Sequence, residues 1–173
     1  HQFFIFFRKI RSQDKEVTNV FMGPLVSAEH LEKVRHYVDL AVKEGATIEC
    51  FSGGYFLQPT IITGLQDSSP VNREEIFGPV VVMSPFSSME EVVQRANDVD
   101  YGLCAVVFTK DINLAHRTAG ALEVGTVWVN SWLVRDLTMP FGGMKKSGLG
   151  REGLLHSMET FTEEKTHCIQ LSH

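Results

Sequence analysis

Glu74, Glu75 and Phe77 stand directly before Gly78-Pro79 and the apolar run Val80-Val81-Val82-Met83, so two carboxylates and a ring are carried by a rigid turn at a strand edge. An ionised carboxylate only accepts hydrogen bonds. Held at a strand edge, it can receive both hydroxyls of a ribose, while a neighbouring Phe offers a flat apolar face to a planar ring. Two acids before a strand also read simply as solvated turn residues, and the turn alone leaves both readings open. Downstream, the stretch Thr138 to Glu152 carries Gly142, Gly143, Gly148 and Gly150, which permit backbone angles and close approaches that side chains forbid.

These motifs have company. Asn97-Asp98-Val99-Asp100-Tyr101-Gly102-Leu103 and Gly125-Thr126-Val127-Trp128-Val129-Asn130 lie between them, and the Gly-rich loop ends in Gly150-Arg151-Glu152. In that order, from about Met22 to Leu171, the chain closely resembles the C-terminal third of an NAD(P)-dependent aldehyde dehydrogenase. The resemblance implies that Glu75 binds the hydroxyls of the nicotinamide ribose and that Phe77 contacts the nicotinamide side of the cofactor. It implies NAD as cofactor, with NADP left open, and keeps the solvated reading for Glu74.

Arg135 lies in Asn130-Ser131-Trp132-Leu133-Val134-Arg135-Asp136-Leu137, a stretch that lines the substrate entrance in the family. Its guanidinium is always charged and can hold a carboxylate in two-pronged geometry, which an apolar aldehyde would not need. An Arg here resembles the branch that oxidises 2-aminomuconic and 2-hydroxymuconic semialdehydes. The competing reading is an ion pair with Asp136 or another surface acid. By the same resemblance Phe141 lies close to the active-site chamber and Trp132 lines the tunnel to it; core packing would explain either aromatic equally. Glu152 is given a supporting role, with Lys145 or backbone amides as its expected partners.

Aldehyde oxidation in this family needs a thiolate that attacks the carbonyl to form a thiohemiacetal before hydride leaves. Cys104 falls inside a strand-like run, Cys168 in the tail and Cys50 near a turn, and none has a basic sequence neighbour that would lower its pKa. No catalytic residue is therefore assigned within this chain. The nucleophile, the general-base glutamate and the main dinucleotide domain would precede residue 1, upstream of Gly23-Pro24-Leu25. The chain starts with His1 rather than Met, as expected of a fragment or an incomplete gene product.

The elements that must position these groups follow from periodicity. Ser27 can cap a helix with Leu31, Val34, Tyr37, Val38, Ala41 and Val42 on one stripe and Gly45 as its stop. Thr47 to Phe51 reads as a strand, Gly53-Gly54 as a turn, and Tyr55 to Ile62 as an extended segment that Pro59 confines to an edge or a crossing. Pro79 to Phe86 is a strand, and Ser88 opens a helix burying Val92, Val93 and Ala96. Leu103 to Phe108, a helix capped by Asp111 with Leu114, Ala115, Thr118 and Leu122, and Thr126 to Asn130 complete a third unit. Alternation of this kind predicts an α/β fold, a parallel open sheet with flanking helices. A long loop, a short helix from about Arg151 to Met158 and a tail strand over Thr166 to Leu171 follow, with no linker separating independent domains.

The segments are therefore read as an atypical N-terminal stretch over 1–20, a partial catalytic domain over 21–158 and a C-terminal oligomerisation segment over 159–173, whose strand joins subunits in relatives. With 43% apolar and 21% charged residues the chain reads as globular. A net charge of -5 without a basic block argues against nucleic acid and anionic membranes as partners. That leaves a small-molecule aldehyde and further copies of the enzyme. The run Phe3 to Phe7 is too short for a membrane span. Three widely spaced cysteines suit a reducing compartment, the cytosol by default with the mitochondrion as alternative. A non-catalytic oligomerisation or regulatory module is the rival to the enzyme reading.

Overall fold

The computed structural model describes residues 22–49, 52–53 and 56–171. Residues 1–21, Cys50, Phe51, the pair Gly54-Tyr55 and residues 172–173 lie outside the described residues, as do the readings made for them. The chain divides into two compact units, residues 1–85 and 86–173.

The first unit is built on α1 (Ala28–Lys43). Ser27 Oγ accepts from the His30 amide at 3.1 Å, satisfying one of the open donors of the first turn. At the other end Gly45, at φ +84°, lets its amide reach the Val42 carbonyl and the Ala46 amide reach that of Ala41, both at 3.0 Å. That is the pair of closing bonds a left-handed residue makes available, and it ends the helix. Leu31, Val34 and Ala41 are buried, whereas Val42, expected on the same stripe, is 58% exposed because it falls at the margin of the apolar face.

Strands β1 (Thr47–Glu49), β4 (Thr60–Thr63) and β5 (Val80–Met83) form an open sheet in the order β1-β4-β5, antiparallel and then parallel. β2 (Ser52–Gly53) and β3 (Phe56–Leu57) make a separate antiparallel pair. Pro59 does not make its segment an edge: β4 is central and buried at Thr60, Ile61 and Ile62. The proline sits just before the ladder, where no donor is required, and the first amide, Thr60, donates to the Pro79 carbonyl at 2.8 Å. Val34 and Ile62, both fully buried in this core, contribute about 2 kcal/mol each. A single-turn helix, α2 (Pro70–Arg73), follows β4; Ser69 caps it through the Val71 amide at 3.2 Å.

In the second unit α3 (Met89–Asn97) is capped by Ser88, which accepts from the Glu91 amide at 3.2 Å. Glu91 reaches back to the Ser87 amide at 2.8 Å, and that bond holds its carboxyl below the usual carboxylate range. Val92 and Val93 are half-buried; Ala96, expected inside, is exposed. β6 (Tyr101–Gly102) pairs antiparallel with β9 (Met144–Lys145), while β7 (Cys104–Val107) runs parallel to β8 (Thr126–Val129). α4 (Ile112–Ala121) is the crossover between β7 and β8. Asp111 Oδ1 accepts from the Asn113 and Leu114 amides, and Ala115 and Thr118 are buried as expected. The architecture is α/β with open mixed sheets and flanking helices.

α5 (Leu154–Phe161) closes the regular structure and starts three residues later than expected, after Gly153 as N-cap with φ +116°. Residues 162–171 adopt no regular element, and the tail strand expected over Thr166 to Leu171 has no ladder partner among the described residues. A strand exists only through its neighbour's backbone.

Candidate functional site

The turn from Glu74 to Pro79 is fixed from below by α1. Ile76 is 8% exposed, and a Cβ on Gly78 would meet the Val34 methyl groups at 2.7 and 2.8 Å, so the turn backbone lies directly on the helix. Lys33 Nζ donates to the Glu75 carbonyl at 3.4 Å and lies 5.8 Å from the centroid of the Phe77 ring. Phe77 adopts φ +58° and is 69% exposed. A non-glycine residue in that region costs on the order of 1–3 kcal/mol and persists where its surroundings over-determine it. The Glu75 side chain is exposed, and among the described residues no hydrogen bond or ion pair occupies its carboxylate. Glu74 is exposed, as expected, and also accepts a 2.6 Å hydrogen bond from Tyr37 Oη.

In the second unit the loop after β8 gathers Arg135, Phe141 and Glu152. Phe141 and Glu152 form an isolated antiparallel bridge, with the Phe141 amide on the Glu152 carbonyl at 3.0 Å and the reverse bond at 2.7 Å. The Arg135 guanidinium lies 4.0 Å from the Phe141 ring centroid, and its Nη2 is 3.9 Å from Glu152 Oε2. A planar cation on an aromatic face keeps its donor edges free in the ring plane. The contact with Glu152 is long and both side chains are solvent-accessible, so it holds Arg135 only loosely. Asp136 is not the partner, because its Oδ1 accepts from the amide and hydroxyl of Thr138, bonds that lower its pKa. Lys145 is not the partner of Glu152 either. It pairs with Glu123 at 2.9 Å and donates to the Asn97 and Val99 carbonyls. Trp132 is 58% exposed and packs edge-on against Trp128, whose indole N–H donates to the Val134 carbonyl at 2.9 Å.

The Gly-rich loop closes on itself. Arg151 Nη1 donates to the Gly143 and Gly150 carbonyls at 2.8 and 2.7 Å, and Ser147 Oγ accepts from the Gly102 amide at 2.9 Å. Its glycines serve backbone packing. Cys104, on β7, has its thiol pKa raised by burial, the opposite of an activated nucleophile. Cys168 is exposed in the tail, and Cys50 lies outside the described residues.

Sequence reasoning missed Lys33 and Tyr37 beneath the turn. Their spacing of four residues places them on one face of α1, which was the available signal. It placed Arg135 and Phe141 in one substrate site but gave Glu152 other partners; residues 141 and 152 pair across the loop, which brings Glu152 to Arg135.

Comparison with known proteins identifies the family and the fold. The model of the aldehyde dehydrogenase family matches residues 2–167, a range that takes in the segment before Met22. The chain is 51% identical over 160 residues to 2-aminomuconic semialdehyde dehydrogenase of Danio rerio, covering 86% of this chain and 33% of the relative. It is 50% identical over 159 residues to 2-hydroxymuconic semialdehyde dehydrogenase of Pseudomonas sp. (strain CF600), with 86% and 33% covered. It thus spans about a third of the length of the curated relatives it matches. Among solved structures, the NAD+ complex of an aldehyde dehydrogenase from Bacillus cereus superimposes with a TM-score of 0.80 at 44% identity, covering 84% of this chain and 31% of that one. With the motifs, the fold and a match over nearly its whole length in agreement, the chain belongs to the aldehyde dehydrogenase family.

Proposed function

We propose that this chain is the C-terminal part of an enzyme that oxidises an acidic semialdehyde, such as 2-aminomuconic semialdehyde, to a carboxylic acid with NAD. The observation that carries the reading is the Arg135 guanidinium stacked on Phe141, in a chain about half identical to semialdehyde dehydrogenases. Glu75, with its carboxylate unengaged among the described residues, and exposed Phe77 fit a nicotinamide riboside: one accepts the ribose hydroxyls and the other covers an apolar face. NAD supplies the hydride acceptor. Arg135 receives the distal carboxylate of the substrate on its free edge, Phe141 fixes the guanidinium plane, Trp132 lines the approach, and Glu152 balances the cation. The thiolate and the base that frees the product come from polypeptide beyond this chain, so the chain alone is inactive. The compartment we propose is the cytosol, with the mitochondrion as the alternative, a reading supported by three widely spaced cysteines.

Arg135→Ala in the complete enzyme tests the reading. Kinetics with a carboxylate-bearing semialdehyde should show kcat/KM lowered roughly ten- to hundredfold, the value of a charged hydrogen-bonded pair, carried mainly by KM. A neutral aldehyde of similar size should change little. Equal losses on both substrates would remove the carboxylate role.

The complete enzyme is a homo-oligomer joined through the segment 159–173, a reading supported by the exposed apolar residues Ile169 and Leu171 in a tail without a ladder partner among the described residues. The isolated chain should self-associate at low micromolar concentration, and Ile169→Pro should reduce this by removing a ladder donor. Sedimentation showing a stable monomer, unchanged by the proline, would sink that role.

A further inference from the structure

Tyr37 stands on α1 with its ring packed against the core of the first unit, and its hydroxyl is bonded to Glu74 Oε2 at 2.6 Å. The next residue is Glu75, and two further on Phe77 holds a left-handed backbone. Buried Ile76 seats the centre of this strained turn in the core, and Gly78 on Val34 seats its C-terminal flank. Its N-terminal flank has the Glu74 amide on the Pro70 carbonyl, the long Lys33 contact and the Tyr37 bond. Of these, the last alone ties a side chain of the N-terminal flank to one packed against the core, and a bond to a carboxylate acceptor is of the stronger kind. A turn at φ +58° relaxes when its flanks loosen.

We propose that the Tyr37–Glu74 hydrogen bond is a strut that fixes the Glu75–Phe77 turn, making Tyr37 and Glu74 positioning residues for hydride transfer. The proposal rests on the reading that Glu75 and Phe77 hold the nicotinamide riboside. It predicts coupling rather than contact: neither residue touches cofactor, yet each sets where Glu75 and Phe77 stand, and hydride transfer is sensitive to displacements of an ångström or less.

The test uses the full-length enzyme with Tyr37→Phe, Glu74→Ala, Glu74→Gln, the Tyr37→Phe/Glu74→Ala pair and Glu75→Gln. Two quantities are read: the isotope effect on kcat with substrate deuterated at the aldehyde carbon, and the fluorescence anisotropy of bound NADH without turnover. Tyr37→Phe and Glu74→Ala should each lower kcat about three- to tenfold, raise the isotope effect and lower the anisotropy. The pair should match the single variants, since both remove one bond, and Glu74→Gln should recover most of the loss because its amide oxygen still accepts. Additive losses, no recovery in Glu74→Gln, or a Tyr37→Phe variant that changes only the thermal midpoint would overturn the strut. If Glu75→Gln changes both readouts and the strut variants change neither, the strut alone falls. If Glu75→Gln changes neither, the cofactor reading falls and takes the strut with it.

Discussion

Incubated with NAD and a semialdehyde, the purified 173-residue chain is expected to show no turnover. Catalysis by a thiol requires a thiolate at neutral pH, and burial moves Cys104 the wrong way. Cys168 is exposed in a segment that forms no regular element, whereas a nucleophile has to be held against its carbonyl. Reduced nicotinamide is followed by its absorbance, with the triple variant Cys50→Ala, Cys104→Ala, Cys168→Ala in parallel. Turnover that persists in the triple variant would show that the argument from the nucleophile is wrong. Turnover lost with one cysteine would identify a catalytic thiol that the geometry does not reveal.

Gly125→Ala and Gly120→Ala should act with opposite signs. A Cβ on Gly125 would lie 1.6 Å from the Gly142 carbonyl oxygen, and Gly125 leads directly into β8 while its amide bonds the Gly102 carbonyl at 3.1 Å. Both colliding groups are backbone, so relief means pulling the Gly-rich loop away from β8, and about 3 kcal/mol or more should be lost. Gly120, inside α4, has nothing within 4 Å of the added atom. There the substitution should stabilise by about 0.5–1 kcal/mol through reduced freedom of the unfolded chain. Thermal midpoints of the full-length enzyme decide between them, and a Gly125→Ala variant as stable as Gly120→Ala would refute the close approach.

How much could be read beforehand depended on whether the determining contact was local. The caps at Ser27, Ser88 and Asp111 were legible because side chain and amide lie within a few residues. Ser69-Pro70, which opens α2, carried a readable cap signal that went unread. Pro59 misled because its effect depends on whether it sits inside the ladder or one residue before it, a matter of register. β9 is two residues long and has no pattern of its own; Tyr101 and Gly102 define it. In the candidate site, Glu75 and Phe77 announced themselves through the turn around them. The meeting of Arg135 with Glu152 did not, because it follows from one bridge closing a loop.

The loop that carries Arg135 also has an optical consequence. Of the chain's two tryptophans, Trp132 belongs to it and Trp128 to β8 just before it, with ring centroids 5.2 Å apart at an interplanar angle of 71°. One indole is buried and bonded to the Val134 carbonyl; the other is half in solvent. Indole emission from this chain therefore reports a single neighbourhood, one residue from Arg135. A ligand that moves the loop would alter the coupling of the two chromophores, giving an intrinsic readout of occupancy that needs neither a label nor chemistry.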